Sequence, residues 1–181
     1  MAVAWGGVFL CGAIIARYVP KSRVSWFPAH WILQLIGVCM TIAALVLTIV
    51  YLSQIGMSHF STYSVSRGAH QIVGIICIAF MAASFGLGIG SHVVYDKDRH
   101  GPPVFPDQIH WWIGRIGILL GIASVFLGIW EMQVDAFYYG IFAAIVGAIL
   151  LLVVLLEIGR IKSLKTHPDD PGFHMHFLHP K

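Results

Sequence analysis

Five long apolar stretches leave this chain few ways to fold, because about 20 consecutive apolar residues cross the roughly 30 Å hydrocarbon core of a bilayer as one α-helix. They run approximately Ala2–Tyr18, Pro28–Leu52, His70–His92, Gln108–Trp130 and Phe137–Ile158. Of the 181 residues, 58% are hydrophobic and 10% are charged, too little polar surface for a soluble domain. The expectation is an all-α integral membrane protein, a bundle of five transmembrane helices. Residues 1–160 form the membrane domain and 161–181 a cytoplasmic His-rich tail.

The breaks between the stretches support these boundaries. Pro20 follows the first run, Pro28 opens the second, and Pro102, Pro103 and Pro106 punctuate the loop after the third, positions where proline stops or starts helices. Trp26, Trp31, Trp111, Trp112 and Trp130 fall at or near helix ends, where indole rings favour the headgroup layer. The first run lacks a charged leader and ends in ARYVPKSR, so it reads as a helix and not as a cleaved signal. Cys11, Cys39 and Cys77 lie within helices as small packing residues, and no disulfide is expected.

Orientation follows from Lys and Arg. Arg17, Lys21, Arg23, Lys97, Arg99, Arg160, Lys162, Lys165 and Lys181 all share one side if the five runs span, whereas the opposite connections hold Arg67. By the positive-inside rule the N-terminus is outside and the C-terminus cytoplasmic. The net charge of +3 is therefore a topology signal and not a nucleic-acid patch.

Histidines within membrane helices are costly and usually functional. His70 and His110 each precede a glycine by four residues, in AHQIVG and IHWWIG; a bare Gly74 or Gly114 one turn along the same face leaves room for something flat and large, such as haem. The second and fourth helices both run outward, so His30 and His110 fall at similar depth near the cytoplasmic face and can bind one iron from opposite sides. The third runs inward and places His70 near the outer face. Its partner should come from the outer end of the first helix, where the chain begins. Bis-imidazole ligation leaves no open position for oxygen and favours electron transfer.

The segments HWWIGRIGILLGIASVFLGIWE, AHQIVGI, WFPAH and GGVFLCGAIIARYV resemble the cytochrome b561 family, most closely the branch whose membrane core follows an extracellular DOMON domain. The resemblance extends to about residue 160. It implies a four-helix haem-binding core with histidines on four successive helices and two haems b, one near each membrane face. His30, His70 and His110 match the last three of those histidines. In similar proteins an HG pair precedes the AWG segment by about two helical turns, which places the first histidine a few residues before Met1. The expectation is an N-terminally truncated chain with one fully ligated haem; the same cut would remove any DOMON domain.

The resemblance further implies an ascorbate-dependent transmembrane oxidoreductase, akin to ferric reductases. Electrons would pass from cytoplasmic ascorbate to an outer acceptor such as ferric iron or monodehydroascorbate. ARYV aligns with a segment the family is thought to use for ascorbate, which makes Arg17, Tyr18 and Lys21 candidate binding residues; positive-inside anchoring explains Lys21 equally well. Similar proteins are often dimers, and Gly86, Gly88 and Gly90 suit either an interface or packing within the bundle.

Arg115 is a charge inside a helix and needs a partner, either a haem propionate or, by snorkelling, the interface. Arg67 suits the outer propionates or a solvated loop, and Glu131 and Asp135 mark the outer turn. His92 suits a contact with donor or propionate, or no ligand. His59 and His100 lie in polar loops, and the tail's His167, His174, His176 and His179 suit metal binding or a flexible end. Two rival readings are a haem-free membrane anchor or regulatory protein, which gives no reason for the matched depths of His30 and His110, and a quinol-linked cytochrome b subunit.

Overall fold

The computed structural model describes residues 1–19, 25–58, 65–94 and 105–166. Every regular element among them is helical. A π-helical turn, Ala4–Val8, leads into α1, Phe9–Tyr18; then follow α2, Trp26–Gln54, α3, Val65–Val93, α4, Asp107–Glu131, and α5, Ala136–Thr166. Four of these are long and apolar enough to cross a membrane: Trp26–Gln54, Arg67–Val93, Asp107–Glu131 and Ala136–Lys162. The chain is a multi-pass integral membrane protein.

Of the five expected spanning helices, four are thus long enough to cross, and the first is shorter. The apolar helix Ala4–Tyr18 rises only about 22 Å at 1.5 Å per residue, short of the roughly 30 Å core. The later helices overrun their apolar windows. α3 begins five residues before His70 and α5 continues past Ile158 to Thr166, because hydropathy marks the lipid-facing stretch while backbone hydrogen bonding continues the helix into the polar layer. Arg67 is thereby helical and not a loop residue, and Arg160 and Lys162 sit on the last turns of α5.

The outward faces are apolar. Trp31, Leu47, Ile72, Leu119 and Leu151 are all exposed, as a lipid-facing surface requires. The closest helix pairs are α3 with α4 and α1 with α2, while the π-turn reaches α2, α4 and α5. It does so through aromatic rings set into glycine notches. Trp5, 4% exposed, lies so close to Gly121 of α4 that a Cβ there would collide with the indole. Phe9 fills the equivalent notch on α2, where a Cβ on Gly37 would stand 2.6 Å from its ring. The two rings meet at 4.7 Å between centroids, and with Cys77, Val125, Phe142 and Val146 they form the buried core at mid-bundle. The polar side chains of interest lie toward the two ends.

Trp5 carries this packing, so Trp5→Ala should cost about 3 to 5 kcal/mol and lower the thermal unfolding midpoint in detergent. Trp31→Ala, at an exposed position, should leave that midpoint nearly unchanged.

Candidate functional site

His30, His70 and His110 share one arrangement. Each imidazole donates its Nδ1–H to a backbone carbonyl of a neighbouring helix: His30 to Gly12 at 2.8 Å, His70 to Ser124 at 2.9 Å and His110 to Ser84 at 2.8 Å. A carbonyl oxygen only accepts, so Nδ1 carries a proton, and the neutral tautomer that keeps this bond has its lone pair at Nε2. A metal-ligating histidine is held in the same way, by a partner on its other nitrogen that fixes tautomer and orientation.

The three fall at two ends of the bundle. His30 sits on the first turns of α2 against α1, and His110 on the first turn of α4 against the last third of α3; the two are within electrostatic range of each other. His70 lies at the opposite end, against the last turns of α4. α2 packs mainly on α1 and the π-turn, whereas α4 packs mainly on α3.

The α3–α4 crossing is reciprocal. Gly74, four residues after His70, faces Ser124, whose Oγ would be 3.5 Å from a Cβ there; Gly114, four after His110, faces Ser84 Oγ at 3.3 Å. The space beside these two glycines is thus shared with serine hydroxyls. Gly88 faces the His110 ring and Gly128 the His70 ring. Sequence reasoning stopped at the paired HxxxG. The signal for the rest was present: HxxxG is followed in both helices by SxxxG, as His70, Gly74, Ser84, Gly88 and, 40 positions later, His110, Gly114, Ser124, Gly128.

The donor set fits haem. Among the described residues no three His, Cys, Asp or Glu side chains gather as a cage for a bare ion, whereas haem brings its own equatorial ligands and asks the protein for axial ones. Ser91, three residues past Gly88 and on the same α3 face, buries a hydroxyl with no hydrogen-bond partner, as a residue does when its acceptor is a group the protein does not itself supply.

Arg17 and Tyr18, at the end of α1, converge on Glu157 of α5. Arg17 Nη2 lies 3.2 Å from both carboxylate oxygens and the Tyr18 hydroxyl donates to Oε2 at 3.0 Å, while Arg160 pairs with the same carboxylate. The Arg17 guanidinium also lies 5.6 Å from the Tyr18 ring. Arg115 stacks on Trp111, one turn earlier, at 3.3 Å from the ring centroid, and is within electrostatic range of Arg17 and Glu157. Arg17, Arg115 and Arg160 thus gather around Glu157 at this end. Arg67 pairs with Glu131 at 2.9 Å beside the His70 end. His92 stacks on Phe27 of α2, with ring centroids 4.8 Å apart. Lys21, His59, His100, His167, His174, His176 and His179 lie outside the described residues.

Fold and site together define a multi-pass helical membrane protein that offers fixed imidazoles at two depths. Residues 2–135 match the family model of eukaryotic cytochrome b561, and the chain belongs to the cytochrome b561 family, whose members bind haem and transfer electrons across membranes. It is 26% identical over 179 residues to a cytochrome b561 and DOMON domain-containing protein of Arabidopsis thaliana, covering 96% of this chain and 42% of that one. It is 27% identical over 138 residues to the transmembrane reductase CYB561D2 of Homo sapiens, covering 76% of this chain and 55% of that one. The chain spans about half the length of the curated relatives it matches. No solved structure gives a significant match.

Glu157 ties α1 to α5. Glu157→Ala should cost about 1 kcal/mol, the scale of a part-exposed ion pair, and lower the thermal midpoint in detergent; Glu157→Gln, which still accepts from Tyr18, should cost less.

Proposed function

We propose that this chain is the membrane core of a transmembrane oxidoreductase that carries electrons from ascorbate on the cytoplasmic side to an outer acceptor such as ferric iron or monodehydroascorbate. The observation that carries the reading is the shared geometry of His30, His70 and His110: three imidazoles, each locked through Nδ1–H on a neighbouring helix, at two opposite ends of one bundle. In this reading His30 and His110 would hold a cytoplasmic-side haem b, and His70 would help hold an outer haem b. Haem held by two imidazoles would supply a one-electron carrier.

The chain's own residues divide the remaining work. Arg17, Tyr18 and Arg115 form the positive end that attracts an anionic donor, with Lys21 added from the connection that follows. Ascorbate gives up one electron and one proton there; one electron reduces ferric to ferrous iron at the other end. Arg17 and Tyr18 hold Glu157, so the donor exchanges its own oxygens for that carboxylate. Ser91 and Arg115 are placed to meet haem propionates at this end, and Arg67, beside Glu131, at the other. In this reading α1 belongs to a fifth crossing, with the N-terminus outside. A DOMON domain on the full-length protein and a second copy of the chain are the further partners this reading carries.

A reduced-minus-oxidised spectrum of the purified chain, with haem counted per polypeptide and ascorbate as reductant, tests the reading. A low-spin b-type signal is expected. His110→Ala should remove the ascorbate-reducible signal while His70→Ala spares it; equal loss from both, in folded protein, overturns the depth assignment. A folded chain that takes up no haem points to a membrane anchor, and a haem reduced by quinol but not by ascorbate points to a quinol-linked subunit. Arg17→Ala should raise the apparent KM for ascorbate several-fold and leave the spectrum unchanged.

A further inference from the structure

We propose that the segments Ser84–Gly88 on α3 and Ser124–Gly128 on α4 are orienting seats for the axial imidazoles, each serving the histidine carried by the other helix. The inference rests on the haem reading above and extends it to residues that touch neither donor nor acceptor. His110 of α4 donates Nδ1–H to the Ser84 carbonyl at 2.8 Å, with Ser84 Oγ 3.4 Å from the same nitrogen. His70 of α3 donates to the Ser124 carbonyl at 2.9 Å, with Ser124 Oγ at 3.5 Å. Each Nδ1–H therefore faces two acceptors from a single serine.

The glycine one turn beyond each serine sets how close the ring can lie. A Cβ on Gly88 would stand 3.1 Å from His110 Cε1, and one on Gly128 would stand 2.9 Å from His70 Cε1. A larger residue at Gly128 requires the His70 ring to shift, and one at Gly88 requires the His110 ring to give slightly against the carbonyl that orients it. The carbonyl and the hydroxyl act on the electronics as well as the angle: a second acceptor on Nδ1–H makes the ring a stronger donor at Nε2 and favours the oxidised metal. Ser84 and Ser124 are positioning residues in this sense.

The arrangement has a counter-intuitive consequence, because α3 carries His70 yet seats His110. Substitutions on α3 at Ser84 or Gly88 act on the haem at the far end from His70 and leave the one His70 ligates alone.

The test is a redox titration of the His110-dependent b-type signal in the full chain, with helical circular dichroism as the folding control. Ser84→Ala should shift the midpoint potential of that signal upward, Ser84→Thr should restore it, and Ser124→Ala should leave it in place. Gly88→Ala should diminish or broaden the low-spin signal, and Gly128→Ala should not. An unchanged potential in folded Ser84→Ala, or equal effects from Ser84→Ala and Ser124→Ala, overturns the seat assignment while the haem reading stands. Absence of any low-spin signal in the unsubstituted chain overturns the haem reading and the seats with it. If Gly88→Ala does not fold, the serine series still decides.

Discussion

The hydrogen bond from an imidazole Nδ1 to the carbonyl of a neighbouring helix is the constraint on which this structure turns. Within hydrocarbon an unpaired N–H is costly, and water is not available to meet it. Helical carbonyls already accept from their own helix, but each oxygen has a second lone pair. His30, His70 and His110 use that spare capacity at Gly12, Ser124 and Ser84. Satisfying the ring and fixing the register between two helices become one act. On α3 and α4 the bond is made twice, once near each end, so sliding one helix along the other breaks both together.

Between those ends the bundle is filled by aromatic rings. Trp5 and Phe9 come from the segment containing the π-turn and enter notches at Gly121 and Gly37. Close approach of this kind substitutes for the hydrophobic drive that helices lack when lipid is as apolar as their own side chains. The division matters for the proposed chemistry, since polar groups and imidazoles gather at the ends and the middle is packed with carbon.

Much of this was legible in the residues, for identifiable reasons. Spans and histidine depths follow from apolar run length and helical direction, and α2, α4 and the apolar part of α5 lie where those rules put them. The first run is the one not confirmed as a span, because hydropathy alone does not measure rise and the helix Ala4–Tyr18 rises less than the core is thick. Arg67 was left open between cofactor and loop, and Arg115 between propionate and interface. Trp111, one turn from Arg115 on the same helix, was within reach of i,i+4 spacing. Glu131, 64 positions from Arg67, depends on helix rotation, which run length does not specify. Glu157 escaped notice for the same reason: only the docking of α5 on α1 brings it to Arg17 and Tyr18. Ser84 and Ser124 were invisible as acceptors because the atoms that matter most are backbone carbonyls, which leave no mark in composition.

The places where the α3–α4 repeat breaks give the molecule its polarity. Forty positions separate Arg67 from Asp107 and Ser91 from Glu131, so the two crossings that seat the histidines are closed by different groups. At the His70 end Arg67 and Glu131 neutralise each other. At the His110 end Ser91 stands in the place of that glutamate, with its hydroxyl unpaired, Asp107 stands in the place of Arg67, and Arg17, Arg115 and Arg160 gather around Glu157. One end therefore gathers guanidinium groups around a carboxylate, while the other holds a compensated pair. Two equivalent histidine seats carry no direction of their own; in the proposed reading the guanidinium cluster is what would draw an anionic donor to the Arg17 end.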